Sequence, residues 1–384
     1  MLSSNRNGLC LIKNKVLILS PYQTVMPAKA DMFFGREEEI AQVAESIDTT
    51  STAILGARRI GKTSMLSAIG RALEERENLL FYLDGYYVED YAGFFAQMRT
   101  EWESDPRFSK LDFSLYGDIN GFTRFVADVR TLYPEKHIVF QFDEVDRLLR
   151  HDTSDGRDEP LFRMFRSLAQ KQRCQFVFSG ERTFLDKLAD PHSGFFNFTK
   201  PIKLGLLDEK IARELIRRPM SLIGIKLESP EKIIQRIYQQ TSGHPKLIQD
   251  MCEMLLMQAR QSGSLVITLQ MLENVVRTFE FRENCRSTFW SQAEPQEKAM
   301  SVVICQRERA NIDELLQELR KVGFDLTIAQ IERGLRYLTL SQLLINVEKH
   351  YEIKPQCFAE YLSDFPVEEW FNSFLSEWQE KQEK

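Results

Sequence analysis

Between an apolar run, Ser51-Thr-Ala-Ile-Leu55, and a stretch of helical periodicity stands Gly56-Ala57-Arg58-Arg59-Ile60-Gly61-Lys62-Thr63, which fits G-x-x-x-x-G-K-[ST]. The run before it is short and partly β-branched, as a buried strand should be. After it, Met65, Leu66, Ile69 and Leu73 recur at helical spacing, so Lys62, Thr63 and Ser64 open a helix. Strand, glycine-rich turn and helix start are the context this pattern needs to bind phosphate. Glycines let the backbone fold tightly, and its N–H groups and the helix N-terminus then face an anion. In such a loop Lys62 reaches the β- and γ-phosphates and the Thr63 hydroxyl ligates Mg²⁺.

The rest of the chain bounds the class of molecule. Its 384 residues suffice for two or three domains, with 43% hydrophobic and 28% charged residues and no low-complexity run. No uninterrupted apolar stretch reaches the roughly eighteen residues of a membrane span. The N-terminal apolar piece is broken by Lys13 and Lys15, which makes a poor signal peptide. Six cysteines (Cys10, Cys174, Cys252, Cys285, Cys305, Cys357) are scattered without a C-x-x-C pair, so a reducing cytoplasm is expected and no zinc site. A net charge of −6 carries no dominant nucleic-acid footprint.

A second signature follows about eighty residues later. His137-Ile-Val-Phe-Gln-Phe142 reads as a buried strand ending in Asp143-Glu144. In a parallel sheet ligands gather at the carboxyl ends of strands, where Asp143 would hold the Mg²⁺ shell and Glu144 would polarise a water. The same pair also suits the N-terminus of a helix over Val145–Leu149. Between the signatures lie a strand, Asn78–Leu83, and helices near Ala92–Trp102 and Ile119–Leu132. Beyond them come a polar loop, His151–Asp158, a helix, Leu161–Gln172, and a strand, Cys174–Phe178. This alternation predicts an α/β doubly wound parallel sheet carrying both signatures. Ser179 and Arg182 would then emerge near the γ-phosphate, although Arg182 also fits an exposed surface arginine.

Three ordered motifs resemble a known family. Phe33-Phe-Gly35-Arg36-Glu-Glu-Glu39 is similar to the F-x-G-R-x-x-E box that precedes the phosphate loop in AAA+ and STAND NTPases. Leu55–Leu66 resembles the loop of the archaeal-ATPase branch of STAND proteins, and Thr241-Ser-Gly-His-Pro245-Lys-Leu-Ile248 resembles the G-x-P motif of their helical lid. The resemblance runs from about Phe33 to Arg282. It implies that Gly35 and Arg36 lie beside the adenine or ribose, that Pro245 presses on the nucleotide, and that Arg182 is a sensor arginine. Lys246 departs from relatives with a sensor arginine there, which favours a STAND switch over an oligomeric motor. No trans-acting arginine is assigned among Arg147, Arg163, Arg166 and Arg173. Gly243 and Pro245 also suit ordinary punctuation between two helices.

Toward the C-terminus, helices at Asp208–Arg218, Pro230–Gln240 and Lys246–Gln261 suggest a lid bundle. Helices at Gln296–Gln306, Asn311–Lys321 and Thr327–Leu340, then strands Leu343–Val347 and Tyr351–Ile353, follow the order of a winged helix. The expected division is an N-terminal leader (1–30), a P-loop ASCE-type core (31–205), a helical lid (206–282) and a C-terminal winged-helix domain (283–384) with an aromatic tail. Residues 285–384 carry 12 Lys/Arg against 17 Asp/Glu, a net of −5, so duplex DNA is not favoured as a partner. His350 fits either a turn position or, by resemblance, a nucleotide contact.

The expected function is a cytoplasmic molecular switch that binds ATP or ADP with Mg²⁺ and hydrolyses ATP slowly. Lys62, Glu144 and Arg182 would be its catalytic residues. ATP is preferred over GTP because no N-K-x-D motif is present and the resemblance points to adenine. A protein partner carrying the effector is implied, and the family also allows a nucleotide-dependent homo-oligomer; bacterial defence or regulation is a role by resemblance. The alternatives are a DNA-associated AAA+-like ATPase, such as an origin-binding or transposition regulator, and a nucleotide-binding scaffold with little hydrolysis.

Overall fold

The computed structural model describes residues 9–12, 15–18, 20–24, 26–28, 32–154, 158–364 and 366–382. Chain contacts divide it into a sheet unit (36–57 and 61–204) and a helical unit (1–35, 58–60 and 205–384). In the leader, β1 (Leu9–Ile12) and β2 (Lys15–Ile18) form an antiparallel hairpin. Leu19, residues 29–31 ahead of the box, Asp155–Arg157 of the expected polar loop and Phe365 of the aromatic tail lie outside the described residues.

The sheet unit runs α1 (Glu37–Ser46), β3 (Ser51–Leu55), α2 (Lys62–Glu75), β4 (Leu79–Asp84), α3 (Tyr91–Trp102), α4 (Ile119–Leu132), β5 (Ile138–Asp143), α5 (Asp146–Thr153), α6 (Pro160–Gln170), β6 (Gln175–Gly180), α7 (Arg182–Ala189) and β7 (Thr199–Lys203). Its five strands are all parallel in the order β4-β5-β6-β3-β7, as the α/β expectation required. The strand after the phosphate loop is laid at one edge, and β6 later inserts between β5 and β3. The ends of β3, β5 and β6, which carry the phosphate loop, Asp143 and Ser179, therefore point the same way. The expected polar loop is helical in its first part: α5 continues through His151–Thr153, with Asp152 buried as acceptor for the Leu161 and Phe162 N–H groups. A carboxylate that starts the next helix explains why this polar run folds inward.

Because side chains alternate along a strand, the two faces of the sheet differ in chemistry. Phe81, Phe140, Phe142, Phe176 and Phe178 face one way and meet Trp102, Phe122, Phe125 and Phe165 from the covering helices. Ring centroids stand 5.0 Å apart for Phe81–Phe140, 5.5 Å for Phe140–Phe176 and 4.9 Å for Phe165–Phe176. Such offset and edge contacts add to the area that these rings bury. The opposite face carries Gln141, Asp143, Val177 and Ser179. There Gln141 Nε2 donates to the Leu66 carbonyl of α2 at 3.0 Å, which locks that helix onto the sheet.

The helical unit continues through α8 (Glu209–Leu222), β8 (Lys226–Leu227), α9 (Pro230–Thr241), α10 (Pro245–Ser262), β9 (Val266–Ile267), α11 (Leu269–Val276), α12 (Phe279–Trp290), α13 (Pro295–Gln306), α14 (Ile312–Lys321), α15 (Ile328–Leu340), β10 (Leu344–Val347), β11 (His350–Ile353), α16 (Gln356–Ser363) and α17 (Val367–Gln382). The sequence pattern stops its first helix at Arg218, yet α8 passes through Pro219 to Leu222. Burial of Leu215, Ile216 and Met220 on one face outweighs the lost N–H, and Tyr22 Oη donates to the Ile216 carbonyl at 2.8 Å. The later elements join this bundle directly: Ser242 Oγ donates to the Lys354 carbonyl at 2.8 Å and Gln240 Nε2 to Glu360 at 3.0 Å.

Gly243 is required where it stands. Its φ is +83°, and a Cβ there would meet the Leu207 carbonyl oxygen at 2.1 Å, while Leu207 N donates to the Gly243 carbonyl at 2.9 Å. Next to it His244 is fully buried, edge-on to Phe289 with centroids 5.6 Å apart, and neither ring nitrogen has a hydrogen-bond partner. Burial, aided by the Lys246 and Arg59 charges, lowers its pKa from the ordinary 6.5 to about 3. The unfolded chain protonates this ring below about 6.5 while the folded chain does not, so stability falls as pH drops from 6.5 toward 3. Between pH 6.5 and 5 the loss from this group should be about 2 kcal/mol. Thermal unfolding followed by circular dichroism should show that acid limb, and His244→Leu should flatten it.

Candidate functional site

Strand β3 is buried along its whole length and delivers the chain into the phosphate-loop sequence. Gly61 closes the loop with φ +107°, and a Cβ there would meet nothing within 4 Å. It is therefore backbone conformation, rather than crowding, that demands glycine at this position. Arg59 also has a positive φ of 66°. Arg58 and Arg59 are exposed, whereas Gly56, Ala57 and Ile60 are buried, and Ser64 is buried in the first turn of α2.

The start of α2 differs from its neighbours. Asp90 and Asp118 cap α3 and α4 by accepting from the Gly93 and Gly121 N–H groups at 2.7 and 2.6 Å. In α2 the N-cap is Gly61, and no side chain caps the helix. The dipole of α2 places positive potential at this glycine-capped start, where an anion is favoured.

Asp143, at the end of β5, is the hub of the site. Its Oδ2 accepts from Thr63 Oγ1 of α2 at 2.6 Å, and its Oδ1 accepts from Ser179 Oγ of β6 and from the Glu144 N–H at 3.1 Å. Ser179 Oγ also accepts from Glu144 N–H at 3.2 Å, and Val145 N–H donates to the Ser179 carbonyl at 3.0 Å. These bonds hold Glu144 in the left-handed region, φ +48°, where a residue other than glycine costs about 1–2 kcal/mol. Strain of that kind persists only where its surroundings fix it. Burial raises the Glu144 pKa, Lys62 opposes that, and the Glu181, Asp143 and Asp84 charges add to it.

Lys62 does not wait in solvent. Its side chain is 5% exposed, and its Nζ donates to Glu181 Oε1 at 2.6 Å and to the Ala57 carbonyl at 3.1 Å. Glu181 stands between β6 and α7, with its N–H bound to Asp146 Oδ2 at 2.7 Å. Tyr82 of β4 is a further neighbour: burial first, then the Asp143 charge, pushes its hydroxyl pKa up. The sequence reading named neither Glu181 nor Tyr82. Glu181 sits in Ser179-Gly-Glu-Arg182, so the signal was its place at a strand's carboxyl end. Tyr82 left only strand alternation, which puts it on the face of Gln141 and Asp143.

The structure thus brings together Lys62, Thr63, Asp143, Glu144 and Ser179. Arg182 begins α7 and is half-buried beside this group in sequence. Arg36, at the start of α1, pairs with Glu39 at 3.4 Å. Gly35 and Pro245 belong to the helical unit, where a Gly35 Cβ would meet Ile211 at 3.0 Å and Pro245 opens α10. Lys246 pairs with the buried Asp250 one turn along α10. His350 starts β11 and touches Asn311 and the Glu348 carbonyl. The Thr63 hydroxyl and Asp143 carboxylate are hard oxygen donors on adjacent elements, a set that fits Mg²⁺ sharing its shell with phosphate and water. Among the described residues no group of three or more His, Cys, Asp or Glu side chains is placed for a metal.

Gly85 secures this corner from the neighbouring strand. A Cβ there would lie 2.7 and 2.8 Å from the carbonyl oxygens of Asp143 and Glu144, whereas one at Gly117 would meet nothing within 4 Å. Gly85→Ala should therefore cost about 2–4 kcal/mol and Gly117→Ala less than about 1 kcal/mol, read as shifts in denaturant midpoint.

Comparison with known proteins agrees with this geometry. The fold is similar to that of the Walker-type ATPase PABY2304 of Pyrococcus abyssi, at 16% identity and TM-score 0.65 over 88% of this chain and 99% of that one. It is also similar to the Aeropyrum pernix ORC2 protein, solved as ADPNP–ADP complexes, at 13% identity and TM-score 0.62 over 94% of this chain and 97% of that one. A search of curated proteins finds no match. The family model described as Novel STAND NTPase 1 matches residues 19–275. With two-thirds of its length matched and a phosphate loop, acidic strand end and parallel sheet in register, the chain belongs to the novel STAND NTPase 1 family.

Proposed function

We propose that this protein is an ATP-dependent switch that binds Mg²⁺-ATP at the α2 N-terminus and hydrolyses it slowly. The observation that carries the reading is the Asp143 carboxylate, shared between Thr63 and Ser179 with Glu144 held beside it. Thr63 and Asp143 would hold Mg²⁺, which would supply positive charge to offset that of the phosphates. Lys62 and the N-terminus of α2 would bind the β- and γ-phosphates, and Ser179 and Arg182 would respond to the γ-phosphate. Glu144 would orient and deprotonate the attacking water, and its burial, which raises its pKa, would make it a stronger base than a free carboxylate. Gly35, Arg36 and Pro245 are assigned to the nucleoside end, in line with the family.

The output arm is the C-terminal part of the helical unit, which we read as a winged helix built from α13, α14, α15 and the β10–β11 hairpin. A bridge between Ala310 and Tyr351 extends that hairpin. The exposed face of α15 presents Arg333 and Arg336 with Glu332 beside them, a weak footprint for duplex DNA. The bonds from Ser242 and Gln240, at the end of α9, to the Lys354 carbonyl just after β11 and to Glu360 of α16 instead support a clamp that answers to the lid. The effector is then a separate protein, recruited when the clamp changes position. Turning such a switch almost fully needs about 5.5 kcal/mol of differential affinity for one nucleotide state, which several charge-assisted phosphate contacts supply.

Phosphate release by the purified protein tests the chemistry. The expected rate is on the order of 10⁻² s⁻¹ or less, as in other switches lacking an added arginine. Glu144→Gln should lower it about 100-fold while keeping ATP binding. Sedimentation with ADP, with ATP and with ATP plus duplex DNA then tests the output. A shape change or assembly on ATP alone is expected; assembly only on DNA, lost with salt, would replace the switch reading with a DNA-associated ATPase. Unchanged hydrolysis in Glu144→Gln would remove Glu144 from the mechanism.

A further inference from the structure

The Lys62–Glu181 pair has more to say than that two charges meet. The side chains are 5% and 10% exposed, and Nζ and Oε1 stand 2.6 Å apart. An unpaired ammonium in such surroundings would cost several kcal/mol, so Lys62 needs an anion at all times. Its partner comes from outside the phosphate loop, 119 positions along the chain. The backbone of Glu181 is fixed, because Asp146 Oδ2 holds its N–H and a Cβ on the preceding Gly180 would meet Phe184 at 2.6 Å and Asp146 at 2.8 Å. Only the side chain is free to leave.

A phosphate group and a carboxylate compete for the same ammonium. Both accept from it through anionic oxygens, and the pocket already holds Asp143 and Glu144. Adding a polyphosphate while Glu181 stays would crowd several negative charges around one buried cation, which electrostatics disfavours strongly. We propose that Glu181 is a built-in phosphate surrogate: it occupies Lys62 in the nucleotide-free protein, and the β- and γ-phosphates of an incoming nucleotide expel it. This rests on the nucleotide reading above and adds a regulator to that site. Expulsion also has a route outward. Asp146, which anchors Glu181, accepts from the Phe184 N–H of α7 at 3.1 Å, and Arg150 of α5 donates to Thr183 Oγ1 of α7 at 3.1 Å. Glu181 is itself the N-cap residue of α7, so moving its carboxylate alters the charge at the first turn of that helix.

Equilibrium titration with a non-hydrolysable ATP analogue and with AMP, each with Mg²⁺, tests this. AMP carries no β- or γ-phosphate to place on Lys62. Glu181→Gln should tighten the ATP analogue about tenfold and leave AMP within about twofold, because only the former must displace the carboxylate. Unchanged or weaker ATP-analogue binding, or equal tightening of AMP, would overturn the proposal. Glu181→Ala, read by the same criteria, guards against a fault peculiar to one substitution. If both variants fail to fold, hydrogen exchange on the unaltered protein decides: exchange across Glu181–Phe184 should rise with the ATP analogue and not with AMP, and no change overturns the idea. Should the unaltered protein bind the ATP analogue no better than Lys62→Ala does, the nucleotide reading itself falls; binding that depends on Lys62 but ignores Glu181 sinks only the surrogate.

Discussion

Everything at this site hangs on one buried carboxylate. Asp143 is 2% exposed, and three separate elements spend a donor on it: the Thr63 hydroxyl from α2, the Ser179 hydroxyl from β6 and the Glu144 amide from the turn that follows. A buried carboxylate with unsatisfied oxygens is costly, so these three donors are bound to arrive together. Once they do, the phosphate-loop helix, β5 and β6 are locked in register. The left-handed backbone of Glu144 follows from that arrangement, since its N–H must turn back toward both Asp143 and Ser179. Gly85 matters for the same reason, because the neighbouring strand has to come close enough to brace the turn.

How much of this was legible beforehand depends on the range of the signal. The phosphate loop, the Asp143-Glu144 strand end and most helices left local periodicity, and Ile119–Leu132 matches α4 residue for residue. What did not show were pairings across the chain. Glu181 is an ordinary acidic residue until β6 inserts between β3 and β5 and points it at Lys62. The helical His151–Thr153 segment looked like a loop because its polarity was read as solvent exposure, whereas Asp152 is buried to cap α6. Pro219 looked like a stop, and packing overrode it. Family membership was legible because three motifs stood in order, each with its own short-range chemistry.

The helical unit shows the same principle at a second place. Gly243 and His244 read as punctuation, and in part they are, since α9 ends and α10 begins there. Yet Gly243 exists to let the backbone of Leu207 pass at hydrogen-bond distance, and His244 is sealed against Phe289 of α12. A two-residue hinge between helices thus also joins the bundle to the elements after it. Ser242 and Gln240, on the residues just before, extend the join to the Lys354 carbonyl and Glu360. Any signal that tilts α10 is felt by the C-terminal elements without a flexible linker between.

The strand order has a consequence for how the molecule is made. Strand β3 carries the phosphate loop, yet it pairs with β6 and β7, whose residues lie well over a hundred positions further along the chain. As the chain leaves the ribosome, β3 emerges early and finds neither neighbour. Until Gly180 has appeared, Ser51–Leu55 is an apolar strand with two open edges, and one edge stays open until Lys203. Such a segment invites wrong pairing and chaperone attention. Strand β4 and β5, by contrast, pair with each other as soon as α4 is complete. The phosphate loop therefore meets its partners Asp143, Ser179 and Glu181 only once β6 has been made.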